Sequence, residues 1–534
     1  MTGLYQLELG ILLLVAVLLL MTLARRVLIP YPILLVLGGL ALSFVPTVPV
    51  VPLDPDLVFL VFLPPVLWAA AYFTSLREFT ANLRPILLLA VGLVVATTVA
   101  VAVVARLVVP GMPWPVAFAL GAIVSPPDAV AATAIARRLR IPHRLVTILE
   151  GESLVNDAAA LVLYRVSVAA TMSGAFAFGP ALGQFALAAL GGIAVGLLVG
   201  LVARWALRFT EESLAEIAIT LLAPYAAWVL AERMHVSGVL ACVVGGLYLR
   251  RVFSSIVPPA TRIQARAVWD IVIFVLNGVI FILIGLQLGA IREAGFPSSL
   301  GRLVLQGALI SATAIVVRLI WVPLATVIPR LVSPALRRRD PIPPWPHVFL
   351  VSWTGMRGIV SLAAALALPV AAGRGTAFPF RDEVILLTFA VILSTLVIQG
   401  LSLTPLIRRL ELGEDDSLEV EEAFAREEAA RAALARLETL DGGAWPRQDL
   451  ERLRALYTQR VQRASPLDLG DGSDTARARA ASRRLRQEML TAERKALIAL
   501  RDRGVISDEI LHRLENELDI EAVRLGLGEA RPSG

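Results

Sequence analysis

The sequence predicts an all-α polytopic membrane protein: about thirteen transmembrane helices over residues 1–410, then a helical cytoplasmic tail over 411–534. Three observations predict it. Of the 534 residues 57% are hydrophobic and only 17% are charged, whereas a soluble chain carries about a quarter charged residues. The apolar residues gather into runs of about 20, the length at which a helix spans the hydrocarbon core. Between the runs, arginines crowd into alternate loops.

Taken in order, the apolar segments are 8–24, 30–48, 55–73, 85–109, 113–135, 145–170, 180–204, 214–232, 236–250, 268–290, 302–328, 348–371 and 384–406. The first reads as a retained span, because Met1 to Glu8 lacks a basic stretch and Arg25-Arg26 follow the apolar run. Arg25/Arg26, Arg77/Arg84, Arg137/Arg138/Arg140/Arg144, Arg204/Arg208, Arg250/Arg251, Arg337/Arg338/Arg339 and Arg408/Arg409 mark one side of the membrane. The opposite loops hold only Arg233, Arg292, Arg374 and Arg381. Positively charged loops stay in the cytoplasm, so the N-terminus is expected outside and the C-terminus inside. An odd number of spans agrees with that.

The same count permits a 6+1+6 inverted repeat, with the seventh span reversing the entry side of the second unit. Equivalent positions then match. The fifth span is broken at Ser125-Pro126-Pro127-Asp128 and the twelfth at Thr354-Gly355-Met356-Arg357-Gly358. Two interrupted, crossing helices at corresponding places in two halves point to a transport site.

Past Leu410 the chain turns rich in Arg, Glu and Ala, with a Gly/Asp/Ser-rich break near Gly470 to Asp474. This is a tail of helices for which a coiled or regulatory role is expected, and whose partners the composition does not identify. A single cysteine, Cys242, excludes disulfides and cysteine-metal clusters, and no cofactor is expected. Lys495 is the only lysine, so no lysine titrates within the membrane. The net charge of +6 is accounted for by cytoplasmic arginines facing the bilayer surface and calls for no nucleic-acid partner.

Ionisable residues within spans cost roughly 2.5–3.5 kcal/mol each on insertion scales, so each asks for a reason. In the sixth span Ser153 and Asp157, and likewise Glu152 and Asn156, stack at i and i+4 and form one polar stripe. In the fifth, Asp128 follows two prolines that cannot donate backbone N–H groups, which frees carbonyls to line a polar cavity or bind a cation. Asp128, Asp157, Ser153 and Asn156 thus offer oxygens, which hard monovalent cations prefer. Arg357 is a fixed charge that needs a partner when buried, and Glu152 is the candidate by charge and depth. Asp128 and Asp157 remain as the titratable pair. Burial favours a protonated carboxyl and a bound cation favours the ionised one, so proton and cation compete for the same oxygens. Arg165 and Arg318 read as structural pairs or snorkelling side chains; Asp270 and Asn277 either line the cavity or pack helices. His143, His235 and His347 sit near span ends, where a surface role is expected, and Tyr and Trp there read as membrane anchors.

These residues resemble the monovalent cation/proton antiporter-1 family, which includes sodium/proton exchangers. The stretch Gly151-Glu152-Ser153-Leu154-Val155-Asn156-Asp157 is similar to the family's Gly-Glu-Ser-Leu-x-Asn-Asp signature. Leu63-Pro64-Pro65, Gly355-Met356-Arg357-Gly358, and Gln399-Gly400-Leu401-Ser402-Leu403 leading to Pro405 and Arg408 match in order. The resemblance implies a thirteen-span inverted repeat, a core domain moving against a dimerisation domain, and a homodimer. It implies an ion site at Asp157 and Asp128 with Ser153 as a ligand, and Glu152 paired to Arg357. Asn156 stands where electrogenic relatives have a second aspartate, which implies electroneutral one-for-one exchange. The chain departs from the family pattern twice. Pro126-Pro127-Asp128-Ala129 replaces an order such as Thr-Asp-Pro, and Val66-Leu67-Trp68-Ala69 lacks the acidic residue that commonly follows the double proline.

The expectation is a secondary transporter of a bacterial inner (plasma) membrane, not an enzyme, exchanging sodium for protons. A potassium/proton antiporter with the same residues is the first rival; lithium is a further candidate cation. An intramembrane aspartyl protease needs Tyr-Asp and Gly-x-Gly-Asp motifs, which do not occur here, and gives Arg357 no role. A channel or sensor using the tail as effector is the remaining rival.

Overall fold

A computed structural model describes residues 2–27, 30–46, 53–139, 141–174, 178–294, 300–372, 376–412, 417–439 and 447–464, with scattered single positions beyond. Arg140, Arg374 and the expected break at Gly470 to Asp474 lie outside the described residues. The chain divides into two compact units, Met1–Asp415 and Asp416–Gly534.

Among the described residues of the first unit, the regular structure is helical apart from a two-residue strand pair, Ala371–Ala372 with Thr376–Ala377. In chain order its main helices are α1 (Thr2–Val27), α2 (Tyr31–Leu42), α3 (Pro55–Phe73), α4 (Leu83–Val108), α5 (Trp114–Val124) and α6 (Ala129–Arg138). Then come α7 (His143–Ser173), α8 (Phe178–Arg208), α9 (Ser213–Arg233), α10 (Gly238–Ile256) and α11 (Pro259–Ala294). The unit closes with α12 (Leu300–Val332), α13 (Trp345–Trp353), α14 (Ile359–Leu366) and α15 (Arg381–Arg409).

Among the described residues eight helices are long and apolar enough to cross a membrane: α3, α4, α7, α8, α9, α11, α12 and α15. The shorter apolar stretches Gly10–Ala24, Tyr31–Leu42 and Trp114–Val124 coincide with the first, second and fifth expected segments. α10 and the broken pair α13/α14 fall at the ninth and twelfth. The chain is therefore an all-α polytopic membrane protein.

Local chemistry sets the helix ends and irregularities. Side chains of Asp54, Asp128, Ser237 and Ser333 cap their helices by accepting backbone N–H groups. α3 opens with a widened π turn at Val58–Phe62, just before Pro64 and Pro65. Pro65 cannot donate to the carbonyl four residues back. That carbonyl, on Val61, instead accepts the Tyr225 hydroxyl at 3.1 Å.

One apolar cluster joins α2, α11, α13 and α15, and a second joins α3 with α8 to α11. α2 and α11 meet backbone to backbone: a Cβ on Gly39 would strike the Ile282 carbonyl, and one on Gly285 would strike that of Val36. In the second unit α16 (Ser417–Thr439) and α17 (Arg447–Ala464) pack together, burying Ala430, Leu437 and Leu450.

Candidate ion site

The two interrupted spans cross at their breaks. α5 stops at Val124, and Ser125-Pro126-Pro127 carries the chain to Asp128, which caps α6; its Oδ1 accepts Val130 N–H at 2.8 Å. The Asp128 N–H donates across to the Met356 carbonyl at 2.7 Å. Gly358 faces it from the other break: a Cβ there would collide with the Asp128 carboxylate, so only glycine allows this approach.

Arg357 binds the other ends of the broken helices. Its Nε donates to the Val124 carbonyl at 2.9 Å, its Nη1 to the Gly355 carbonyl, and its backbone N–H to Thr395 Oγ1 at 3.1 Å. Carbonyls at the C-terminal end of a helix carry partial negative charge, and N–H groups at the N-terminal end carry partial positive charge. The crossing therefore places a cation against α5 and the end of α13, and an anion at the start of α6 and beside Gly358.

α7 supplies the remaining residues. Glu152 is 1% exposed and is gripped by both guanidinium nitrogens of Arg318, at 2.5 and 2.8 Å. Arg318 also donates to the Val351 carbonyl at 3.1 Å. The expected pair of Glu152 with Arg357 is thus corrected: Glu152 belongs to Arg318, because the guanidinium of Arg357 is spent on carbonyls that the helix breaks leave open. Of the two readings of Arg318, the structural pair is what the fold contains. Arg165 likewise pairs, with Glu232 at 2.9 Å, in an exposed position.

Asn156 Nδ2 donates to the Pro127 carbonyl at 2.8 Å, fastening α7 to the first break, while its buried Oδ1 has no protein partner. Ser153 and Asp157 lie one turn apart on α7 and, with Asp128, line a cavity of about 670 Å³. Asp157 and Asp128 are close enough to feel each other's charge. Asp270 and Asn277 of α11 line the same space, as does the stretch Val66 to Ala69, which carries no carboxylate. Tyr31 also faces this cavity. Its sequence position at a span start gave it the look of an interfacial anchor, and nothing in the sequence distinguished it. His143 lies outside the site, beside Glu78 at 3.1 Å.

The structure thus brings Asp128, Asp157 and Ser153 to one cavity wall, places Asn156 immediately behind it, and sets Glu152 and Arg357 deeper among the helices. Paired carboxylates and a hydroxyl in a low-dielectric cavity suit a small cation or a proton.

A family model described as sodium/hydrogen exchanger, transmembrane, matches residues 12–409. An uncharacterized sodium/proton exchanger of Mycobacterium tuberculosis is 38% identical over 509 residues, covering 92% of this chain and 91% of the relative. A sodium, potassium, lithium and rubidium/proton antiporter of Bacillus pumilus is 31% identical over 426 residues, covering 77% of this chain and 62% of the relative. The fold resembles that of the sodium/proton antiporter MjNhaP1 of Methanocaldococcus jannaschii, with a TM-score of 0.60 at 20% identity over 78% of this chain and all of the other. With a matching family model along three quarters of its length and a crossing of broken helices beside two aspartates that share one cavity, the chain belongs to the sodium/hydrogen exchanger family of monovalent cation/proton antiporters.

Proposed function

We propose that this protein exchanges sodium, or another monovalent cation, for protons by alternating access at Asp128 and Asp157, with Ser153 as a neutral ligand and Asn156 holding the Pro127 carbonyl in place. The observation that carries the reading is the cavity shared by both aspartates at the crossing of two broken helices. A cation and a proton cannot both occupy such oxygens, so discharge of one admits the other.

Charge supports one-for-one exchange. At the two helix breaks alone, Asp128, Asp157 and Glu152 stand with Arg318 and Arg357, a balance of one negative charge when all are ionised; Glu150 and Asp270, with Arg250, Arg262 and Arg266, line the same cavity and fall outside that count. One sodium ion or one proton neutralises that one charge, and either loaded state can then cross between the two access positions without moving net charge. A site left charged in a low-dielectric core would be penalised heavily.

The architecture we propose around this site has thirteen crossings in a 6+1+6 inverted repeat, the N-terminus outside, the C-terminus in the cytoplasm, and a homodimer in the plasma membrane. Residues 411–534 form a cytoplasmic tail. The arginine distribution among the loops supports that orientation. Potassium is the second reading for the cation: the wall from Val66 to Ala69 lacks a carboxylate, and the Bacillus pumilus relative is named for several alkali cations.

The test is proton movement in liposomes holding the purified full chain under an imposed pH gradient, with sodium, lithium or potassium added in turn. Cation-driven proton movement that falls to the level of empty vesicles in Asp157→Asn is expected, and the ranking of cations names the substrate. A folded wild type that moves no protons with any cation, or a flux insensitive to the pH gradient, overturns antiport and favours a channel or sensor.

A further inference from the structure

A second charged constellation stands well away from the aspartates, where several helices begin or end. Arg84 near the start of α4, Arg144 near the start of α7 and Arg330 in the last turn of α12 converge on one carboxylate, that of Asp340. The distances are 2.9, 2.9 and 2.6 Å. One carboxylate cannot neutralise three guanidinium groups. Each guanidinium nitrogen of Arg330 donates once, to the Thr326 carbonyl, the Asp340 carbonyl and Asp340 Oδ2. Arg84 Nη1, by contrast, is buried and has no partner.

Beside this cluster lies a separate cavity of about 340 Å³. The three arginines are among its lining residues, and the rest of its wall is largely apolar, formed by residues such as Leu88, Ile148, Val322, Ala325 and Val351. An excess of positive charge at the mouth of an apolar slot has the chemistry of an amphiphile with an anionic head. Free phosphate would satisfy the guanidinium groups and leave the apolar walls without an occupant. Under the proposed orientation this mouth lies at the cytoplasmic surface, where anionic headgroups collect.

We propose that this groove binds an anionic phospholipid, its phosphate held by Arg84 and Arg144 and an acyl chain lying along Leu88, Ala325 and Val351. The lipid completes the charge balance that Asp340 leaves unfinished, and ties the start of α4 and α7 to the end of α12. The inference rests on the membrane orientation given above, but not on ion exchange, so the two can fail separately.

The experiment uses the full chain, delipidated in neutral detergent and titrated with phosphatidylglycerol or phosphatidylcholine. Thermal unfolding and lipid retention by native mass spectrometry are the readouts. Phosphatidylglycerol is expected to raise the unfolding temperature and be retained; phosphatidylcholine is not. Arg84→Gln weakens retention about tenfold, the worth of one charge-assisted hydrogen bond. Ala325→Phe fills the slot while leaving the arginines, and also abolishes the effect, which keeps the test decisive where Arg84→Gln does not fold. Arg77→Gln, an exposed arginine in the same loop region, leaves retention unchanged. Equal effects of both lipids, or full retention in Ala325→Phe, overturn the proposal. So does inorganic phosphate reproducing the whole stabilisation, which would make this a phosphate site.

Discussion

Two regions of this molecule hold a carboxylate among more arginines than it can neutralise, and they differ in how far water reaches them. At the crossing, Glu152 and Arg318 are both about 1% exposed, and Arg357 stands close by on the other side of Gly355. At the helix ends, Asp340 and its partners Arg84 and Arg144 are partly exposed, with side-chain exposures of 21, 32 and 49%, and only the third partner, Arg330, is buried. The pairing chemistry is the same and the geometry similar. What differs is the cost of an unpaired charge, which water relieves in part at the helix ends, through the exposed portions of Arg84, Arg144 and Asp340, and cannot relieve at the crossing. The sealed cluster is therefore expected to be a condition of folding, and the wet one an adjustable clamp.

That contrast sets the order of expected effects. Arg318→Gln leaves Glu152 buried without its partner and should destabilise the protein by about 3–5 kcal/mol, read as a lowered unfolding temperature and loss of exchange. Adding Glu152→Gln to it should restore much of the stability; adding Glu152→Gln to Arg357→Gln should restore much less, because Arg357 serves carbonyls. Equal rescue in the two double variants would return Arg357 to the role the sequence assigned it.

Gly355→Ala is the next in size. Its Cβ would press on Arg318 Cδ and Arg357 Nη1, so both guanidinium groups must shift, at a cost of about 1–3 kcal/mol. A variant as stable as the wild type would show that the sealed cluster is looser than its contacts indicate.

Asp340→Asn should cost only about 1 kcal/mol. Burial by itself would raise the Asp340 carboxyl, but the hydrogen bond from Arg144 and the charges of Arg144, Arg330 and Arg84 hold it below the usual carboxylate range. A depressed pKa means that the unfolded chain takes up the proton first as pH falls. The stability Asp340 contributes is thus present above its unfolded value, about 3.9, and is lost as pH drops through the folded value beneath it. The gap between wild type and Asp340→Asn should be constant near neutrality and close in strong acid. Added salt should narrow that gap and leave the effect of Arg318→Gln almost unchanged. A salt-insensitive gap would mean that the two clusters do not differ as described.

How much of this was legible beforehand depends on the kind of signal. The breaks at Ser125 to Asp128 and Thr354 to Gly358 were visible because proline and glycine act on the backbone locally. The polar stripe of α7 was visible because i, i+4 spacing determines a face, and Ser153 and Asp157 do share the cavity. Asn156 was named for its oxygen; the structure adds a role for its amide nitrogen, which binds the Pro127 carbonyl and leaves the buried Oδ1 without a protein partner. The partner of Glu152 was misassigned because charge and depth admit two arginines equally, and only their three-dimensional neighbours separate them.

The sequence by itself determined the class of molecule, the places where its spans are interrupted and two carboxylates that line its cavity, since hydropathy, proline chemistry and helical spacing are properties of a few neighbouring residues. Tertiary structure alone decided that Arg318 rather than Arg357 neutralises Glu152, that Tyr31 faces the cavity, and that Arg84, Arg144 and Arg330 share Asp340. Each of those joins groups far apart in the chain. Their pairing follows from which helix ends and faces the packing brings within hydrogen-bond reach, and local periodicity carries no record of that.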